Sequence, residues 1–453
     1  VVAQLTAEVV EADTGQEASE RWHPLARIAF RFGFVFLGVG MAGTWLAAAL
    51  FRSTGVDQES VDELAKWTAL HPLTDWVGAH VFDTQVDYTP TGSSDTAAQW
   101  VSVFTWLLVA IVASAVWSVL DRRRTEYTRL YAWFRLALRA ALVSALLLYG
   151  MVKLLPSQMS VILQRLVEPF GDMSPMSVLW AQTSLSEPYE IALGAAEVTA
   201  ALLLVLPMTA GIGAVLAFIV TLQIALLNLT FDVPVKIFSL QLLAFAAVLA
   251  APDIRRTVAA LIGRAVPVRA PELRFGTRRG NRILLAAQLI FGGWLLFTAT
   301  SEGYDGWQTY GSARPHSPLY GIWNVTEYTV AGQQVPALVD FRETPNPGVP
   351  TASDRLRRLI FDIPTAITAQ RMDDSLLPFP ASIDTERHTI TIPLDATRTF
   401  ASLNYEQPQP NQLILTGTLA GRPIRMRLEL VPLDTFPAIS RGFHWVQATP
   451  YMR

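Results

Sequence analysis

Apolar residues crowd into seven long stretches along the first two thirds of the chain, and beyond about residue 300 they thin to an alternation with polar ones. The long stretches are 26–51, 99–120, 133–155, 188–207, 209–230, 234–251 and 282–300. Each is close to the 17–25 residues that the hydrocarbon core of a bilayer demands of a helix. The pattern therefore predicts an α-helical polytopic membrane domain of about seven transmembrane helices. After it, GIWNVTEYTV (321–330), LRRLIFDI (356–363), HTITIPL (388–394), NQLILTG (411–417) and RPIRMRLELV (422–431) have the period of two that marks half-buried strands. Turn signals such as Asn346-Pro347-Gly348 and Ala420-Gly421 separate them. Several such strands in succession predict an antiparallel β-barrel. Gly321-x-Trp323 resembles the opening of lipocalin-like barrels, in which the tryptophan plugs one end.

Two loops carry structure of their own. HPLTDWVGAHVF (71–82) reads as a short interfacial helix with Trp76 and Val81. In 156–187, Val161, Leu163, Leu166 and Val167 form an amphipathic turn that breaks at Pro169 and Gly171 and resumes toward Trp180. An interfacial or re-entrant helix is expected there. The run from Thr91 to Thr96 reads as a turn or helix cap.

Basic residues sort by side. Arg122, Arg123, Arg124 and Arg129 follow the second span, and Arg255, Arg256, Arg264, Arg269, Arg274, Arg278, Arg279 and Arg282 separate the sixth from the seventh. The opposite loops hold only Arg52, Lys66, Arg165 and Lys236. The positive-inside rule then places the N-terminus in the cytoplasm and the C-terminal domain outside, in the periplasm of a Gram-negative cell. Residues 1–24 begin with an acidic run, Glu8, Glu11, Asp13, Glu17 and Glu20, and read as a solvated cytoplasmic tail rather than a signal peptide. The membrane domain occupies 25–300 and the barrel 301–453.

Composition narrows the chemistry. Only 16% of residues are charged, against about a quarter in soluble chains. A net charge of −3 offers nucleic acid no attraction. With no cysteine, thiolate metal sites, cysteine-ligated iron–sulfur clusters and haem c attachment are excluded. The six histidines (His23, His71, His80, His316, His388 and His444) all lie outside the spans. His71, His80 and Asp75 share a loop, but at a spacing that matches no common metal signature, and no metal is expected. Redox chemistry would have to run through a cofactor not bound by cysteine, a diffusible quinone or a partner subunit.

Polar groups inside spans are costly and point to function. Arg31, Arg135 and Arg139 lie near span ends and are expected to snorkel toward headgroups. Glu190 and Glu197 lie seven residues apart on one face of the fourth span. Lys153 closes the third span, Gln223 and Asn228 lie in the fifth, and Asp232 and Lys236 bracket the turn DVPVK. All are expected in the outer half of the membrane. Glu197, Lys153 and Asp232 are candidates for proton exchange with a quinol. Glu190, Gln223, Asn228, Lys236 and Trp180 are candidates for holding its headgroup. An ion-paired cluster pinning helices together accounts for the same residues.

Part of the chain resembles the DoxX-like membrane family. The stretches that carry the likeness are LLYGMVKLLPSQM (147–159), FGDMSPMSVLW (170–180), PYEIALGAAEVTAALLLV (188–205), LNLTFDVPVKIFS (227–239) and LAAPDIRR (249–256). It covers roughly 130–260, and residues 75–96 and 441–453 are similar to a longer bacterial subgroup with an appended β-domain. Shorter members have about four spans, so the first two spans, the seventh and the barrel are departures. The resemblance implies an inner-membrane protein, in one branch a subunit of thiosulfate:quinone oxidoreductases. A fainter similarity, resting on Lys153, is to vitamin K-dependent carboxylase-like proteins. Two functions stay open: a quinone-linked redox subunit, and a non-catalytic accessory or scaffold subunit of a respiratory or photosynthetic complex. Lipid or small-ligand handling by the barrel is a third.

Overall fold

A backbone surrounded by hydrocarbon satisfies its own N–H and C=O groups only as a helix or a closed barrel, and each long apolar stretch becomes a helix. The computed structural model describes residues 21–53, 70–267, 270–335, 355–395 and 397–451. Most of the acidic tail, Lys66, Arg269 and the Asn346-Pro347-Gly348 turn lie outside the described residues. The helices are α1 (Pro24–Leu50), α2 (His71–Val81), α3 (Ala97–Leu120), α4 (Thr128–Leu154), α5 (Pro175–Ser184), α6 (Glu187–Val205), α7 (Ala210–Thr230), α8 (Lys236–Leu261) and α9 (Arg278–Thr309). All but α2 and α5 are long and apolar enough to cross a membrane, seven among the described residues. The chain is a multi-pass membrane protein.

The chain divides into two compact units, Val1–Met151 with Gly194–Ser301 and Val152–Leu193 with Glu302–Arg453. In the helical unit, α3 starts at a reciprocal cap. The Gln99 backbone N–H donates to the Thr96 hydroxyl, and the Gln99 side-chain Oε1 accepts from the Thr96 N–H at 3.2 Å. The middle of α1, Phe34–Gly43, is wound as a π-helix. There Gly40 lies against α3, where an added Cβ would come within 2.7 Å of the Trp106 indole. Aromatic rings close one end of the unit, with Phe30 edge-on to Trp22, Trp117, Tyr131 and Phe134.

The second unit holds the barrel: β1 (Gly321–Val330), β2 (Gln333–Gln334), β3 (Leu356–Phe361), β4 (Ala366–Arg371), β5 (Leu376–Pro380), β6 (Ser382–Asp384), β7 (Thr389–Pro393), β8 (Thr399–Gln409), β9 (Gln412–Leu419) and β10 (Arg422–Val431). Every pairing is antiparallel and the sheet order is β5-β4-β3-β1-β10-β9-β8-β7-β6. The two edges, β5 and β6, are halves of one strand interrupted only at Ala381, so the sheet nearly closes into an up-and-down barrel. Strand β10 shows why. Ile424, Met426 and Leu428 point into the core, while Arg425, Arg427 and Glu429 face out. The Ala420–Gly421 turn, with φ of 49° and 75°, has the two left-handed residues that a tight hairpin requires.

Trp323 fills one end of the barrel. It is 1% exposed, and its indole N–H donates to the Leu319 carbonyl at 2.9 Å. On the outer face, Ile322 and Ile360 are covered by Leu163, Leu166 and Val167. Leu163, Leu166 and Val167 thus pack on the barrel, while Phe170 of the same 156–172 stretch is exposed. That stretch forms two 3₁₀ turns, Leu163–Leu166 and Phe170–Asp172, before α5. Polar bonds fix it there. The Leu163 N–H and the Arg314 guanidinium both donate to Asp362, at 3.2 and 2.8 Å, and Gln370 donates to the Val167 carbonyl at 2.9 Å.

Replacing Trp323 by alanine empties the plugged end and is expected to cost about 3–5 kcal/mol. Trp445→Ala, at a ring 91% exposed, is expected to change stability by no more than about 0.5 kcal/mol. Denaturant titration of the full chain in detergent, followed by circular dichroism of the strands, compares them.

Candidate functional site

Both acids of α6 are buried, Glu190 at 1% and Glu197 at 2% exposure. In the helical unit, α4 reaches α6 at its glycine. A Cβ on Gly150 would lie 3.0 Å from the Cβ of Glu197 and 3.1 Å from the Val198 nitrogen. The glycine sets the depth of that helix contact. In the barrel unit, Glu190 accepts the Met159 backbone N–H at 3.1 Å, and the Trp180 indole donates to the Gln158 carbonyl at 3.1 Å. Two of the candidate residues therefore hold one short stretch of backbone. Lys153 is buried as well.

The DVPVK turn is a separate construction. Asp95 accepts the N–H groups of Lys236 and Ile237 at 2.8 and 2.9 Å and so caps α8. The Ser94 N–H donates to the Pro234 carbonyl at 2.8 Å. The Lys236 ammonium lies 2.7 Å from Asp232 and 3.7 Å from Asp95. The Asp232 side chain is 82% exposed, on a residue with φ of 52°. On α7, Asn228 is buried while Gln223 lies on the exposed side. Within the helical unit the polar candidates thus fall on different surfaces. Asp95, the residue that organises the turn, is not legible as a partner in sequence, because 141 positions separate it from Lys236.

Arg31, Arg135 and Arg139 do not snorkel. All three are buried and bonded inside the helical unit. Arg139 lies 3.4 Å and Arg135 3.9 Å from Glu272. Arg139 also donates to Gln288, and Arg135 to the Leu249 carbonyl. Two guanidiniums share one carboxylate, and the Arg135 Nε has no partner among the described residues. Arg31 donates to the Tyr127 hydroxyl at 2.7 Å, to Ser118 at 2.8 Å and to the Asp121 carbonyl at 3.1 Å. Burial pushes the Tyr127 hydroxyl up, and the hydrogen bond from that hydroxyl holds the Asp121 carboxyl down. The histidine pair is occupied too. His71 stacks on Tyr88, whose hydroxyl donates to Asp75, and His80 bonds the Trp76 carbonyl. Among the described residues, no group of three acids and histidines is placed to hold a metal.

The barrel encloses a cavity of about 200 Å³. Tyr328, Phe361, Ile390, Leu403, Leu415 and Met426 are among its walls, and nearly all the remaining lining is aliphatic or aromatic. Its two charged members, Arg371 and Arg422, lie at strand ends, away from Trp323. An apolar cavity of about 150 Å³ stays dry and takes up benzene, so this one accommodates a molecule of one or two rings, or a short chain. The alternation in the sequence predicts apolar walls but not that they leave space.

Seven spans and a nearly closed barrel with an oily interior define a polytopic membrane protein with an appended barrel domain. The uncharacterized protein YwoB of Bacillus subtilis is 30% identical over 108 residues, which are 24% of this chain and 69% of that protein. The chain belongs to the YwoB family. No family profile and no solved structure matches it.

Removing the carboxylate of Glu272 leaves two buried cations without their counter-ion, and Glu272→Ala is expected to destabilise by about 3–5 kcal/mol. Asp95→Ala, which uncaps α8, is expected to cost about 1–2 kcal/mol. Asp232→Ala removes only an exposed ion pair and leaves the melting midpoint unchanged. Thermal unfolding in nanodiscs ranks the three.

Proposed function

We propose that this is a DoxX-like protein of the bacterial inner membrane that holds a small apolar molecule in an extracytoplasmic barrel, as an accessory subunit of a membrane complex. The observation that carries the reading is the barrel cavity, apolar on its walls and closed at one end by Trp323. A site of that kind binds by excluding water from apolar surface, and it carries no nucleophile or acid–base pair. The arginine-rich loops after α3 and α8 support a cytoplasmic N-terminus, and with seven spans the barrel falls on the other side. Bonds from Asp362 and Gln370 hold the 156–172 stretch to the barrel, which suits a rigid receptacle.

A second reading, a quinone-linked redox subunit, is favoured by one observation. Glu190, Glu197 and Lys153 are all buried within spanning helices, where ionisable groups are rare unless they act. A quinone taking two electrons from a donor must also take up two protons, and a buried carboxylic acid is a suitable proton donor.

The readings separate by mutation. Ala369→Phe puts a ring into the cavity and is expected to weaken binding of the two-ring fluorophore 1-naphthylamine to the full chain by at least about tenfold, with folding unchanged by circular dichroism. Unaltered binding would remove the barrel from ligand handling. On the redox reading, Glu197→Gln lowers reduction of a soluble quinone analogue by thiosulfate about 100-fold or more. Equal turnover in both proteins, or none in the wild type, would leave the acids with packing alone.

A further inference from the structure

At the end of the helical unit where α1 and α4 begin, a groove of about 850 Å³ opens beside α8. It has a graded lining. Arg21, His23 and Arg255 stand at one end, and the face of α1 below them is made by Ala26, Ala29, Gly33 and Leu37. From Ala26 to Leu37 a helix rises about 16 Å, half the thickness of a bilayer core. Phe134 and Val248 form apolar walls. We infer that this groove binds one anionic glycerophospholipid, its phosphate between Arg21 and Arg255 and its upper chain along α1.

Charge and construction both support that occupant. Among the described residues neither Arg21 nor Arg255 is ion-paired, so two positive charges face the groove uncompensated. His23 accepts the Leu25 N–H on Nδ1, which leaves its Nε2 as the donor of a neutral ring. The rim is rigid. The Trp22 N–H donates to the Thr125 carbonyl at 3.0 Å, its ring meets Tyr131 edge-on at 5.8 Å, and Arg27 donates to the Arg124 carbonyl at 2.7 Å. The small side chains of Ala26, Ala29 and Gly33 leave the room that an acyl chain fills. A zwitterionic lipid brings its own ammonium toward the same arginines and gains less, whereas basic pockets between spans select anionic headgroups.

The test uses the full chain in nanodiscs of equal phosphatidylglycerol and phosphatidylcholine, with tightly bound lipid counted by native mass spectrometry. The wild type is expected to retain phosphatidylglycerol. Arg21→Gln/Arg255→Gln, both at exposed positions, is expected to lower that retention by at least about tenfold. Arg278→Gln/Arg279→Gln removes the same charge outside the groove and is expected to retain the lipid. Gly33→Leu, where the nearest neighbour of an added Cβ is Phe134 at 4.0 Å, is expected to displace the chain and lower retention with the charges intact. Equal loss in the two arginine pairs would overturn the site, as would wild-type retention in the groove pair. Equal retention of both lipids by the wild type would overturn the selectivity for anions.

Discussion

Hydrocarbon offers a polar group no partner, and most of the buried polar groups in the spans are answered from within the chain. Threonines return their hydroxyls to the preceding turn, as Thr105 does to Val101 and Thr221 to Ala217. Charges need more. Arg31 takes a tyrosine, a serine and a carbonyl, and Arg135 and Arg139 draw Glu272 from the loop after α8. These bonds join segments far apart in sequence, so the price of burying a guanidinium also fixes which helices are neighbours. The acids of α6 obey the same constraint, Glu190 by accepting the Met159 amide.

Water imposes a different economy on the barrel unit. Its core is a nearly closed ring of alternating side chains, and the polar groups on its outside are free to organise loops. Asp362 is the clearest case, with one oxygen on Arg314 and the other on the Leu163 amide. Arg314 also donates to the Val161 carbonyl at 2.8 Å. One buried ion pair thereby holds a loop to the sheet, and the adjacent Ile322 and Ile360 are dry because of it.

The spans were legible because apolar length has a single reading at this scale. Strands β1 and β10 were legible to the residue, β10 through an unbroken alternation and β1 in spite of a bulge between Val325 and Glu327. Strands β4, β5 and β8 were not. AITAQR is short, LLPFP carries two prolines, and TFASLNYEQPQ is polar toward its end. Helix α9 runs on to Thr309 through Glu302 and Asp305, which lie past the apolar stretch. The burial of Lys153, Glu190 and Glu197 follows from their places in the spans. The outward turn of Gln223, the cap from Asp95 and the counter-ion Glu272 depend on contacts that no local pattern encodes. The π-helical winding of α1 left only its glycines as a trace.

One topological detail limits how this protein meets others. The strand kinked at Ala381 gives its first half to β4 and its second half to β7. Both rims of the sheet thus belong to the same piece of chain, and among the described residues each offers only a short edge strand, Leu376–Pro380 or Ser382–Asp384, for another polypeptide to extend. Among the described residues, then, strand addition finds little purchase at either rim, and the outer side chains and the mouth are the larger surfaces that a companion could meet.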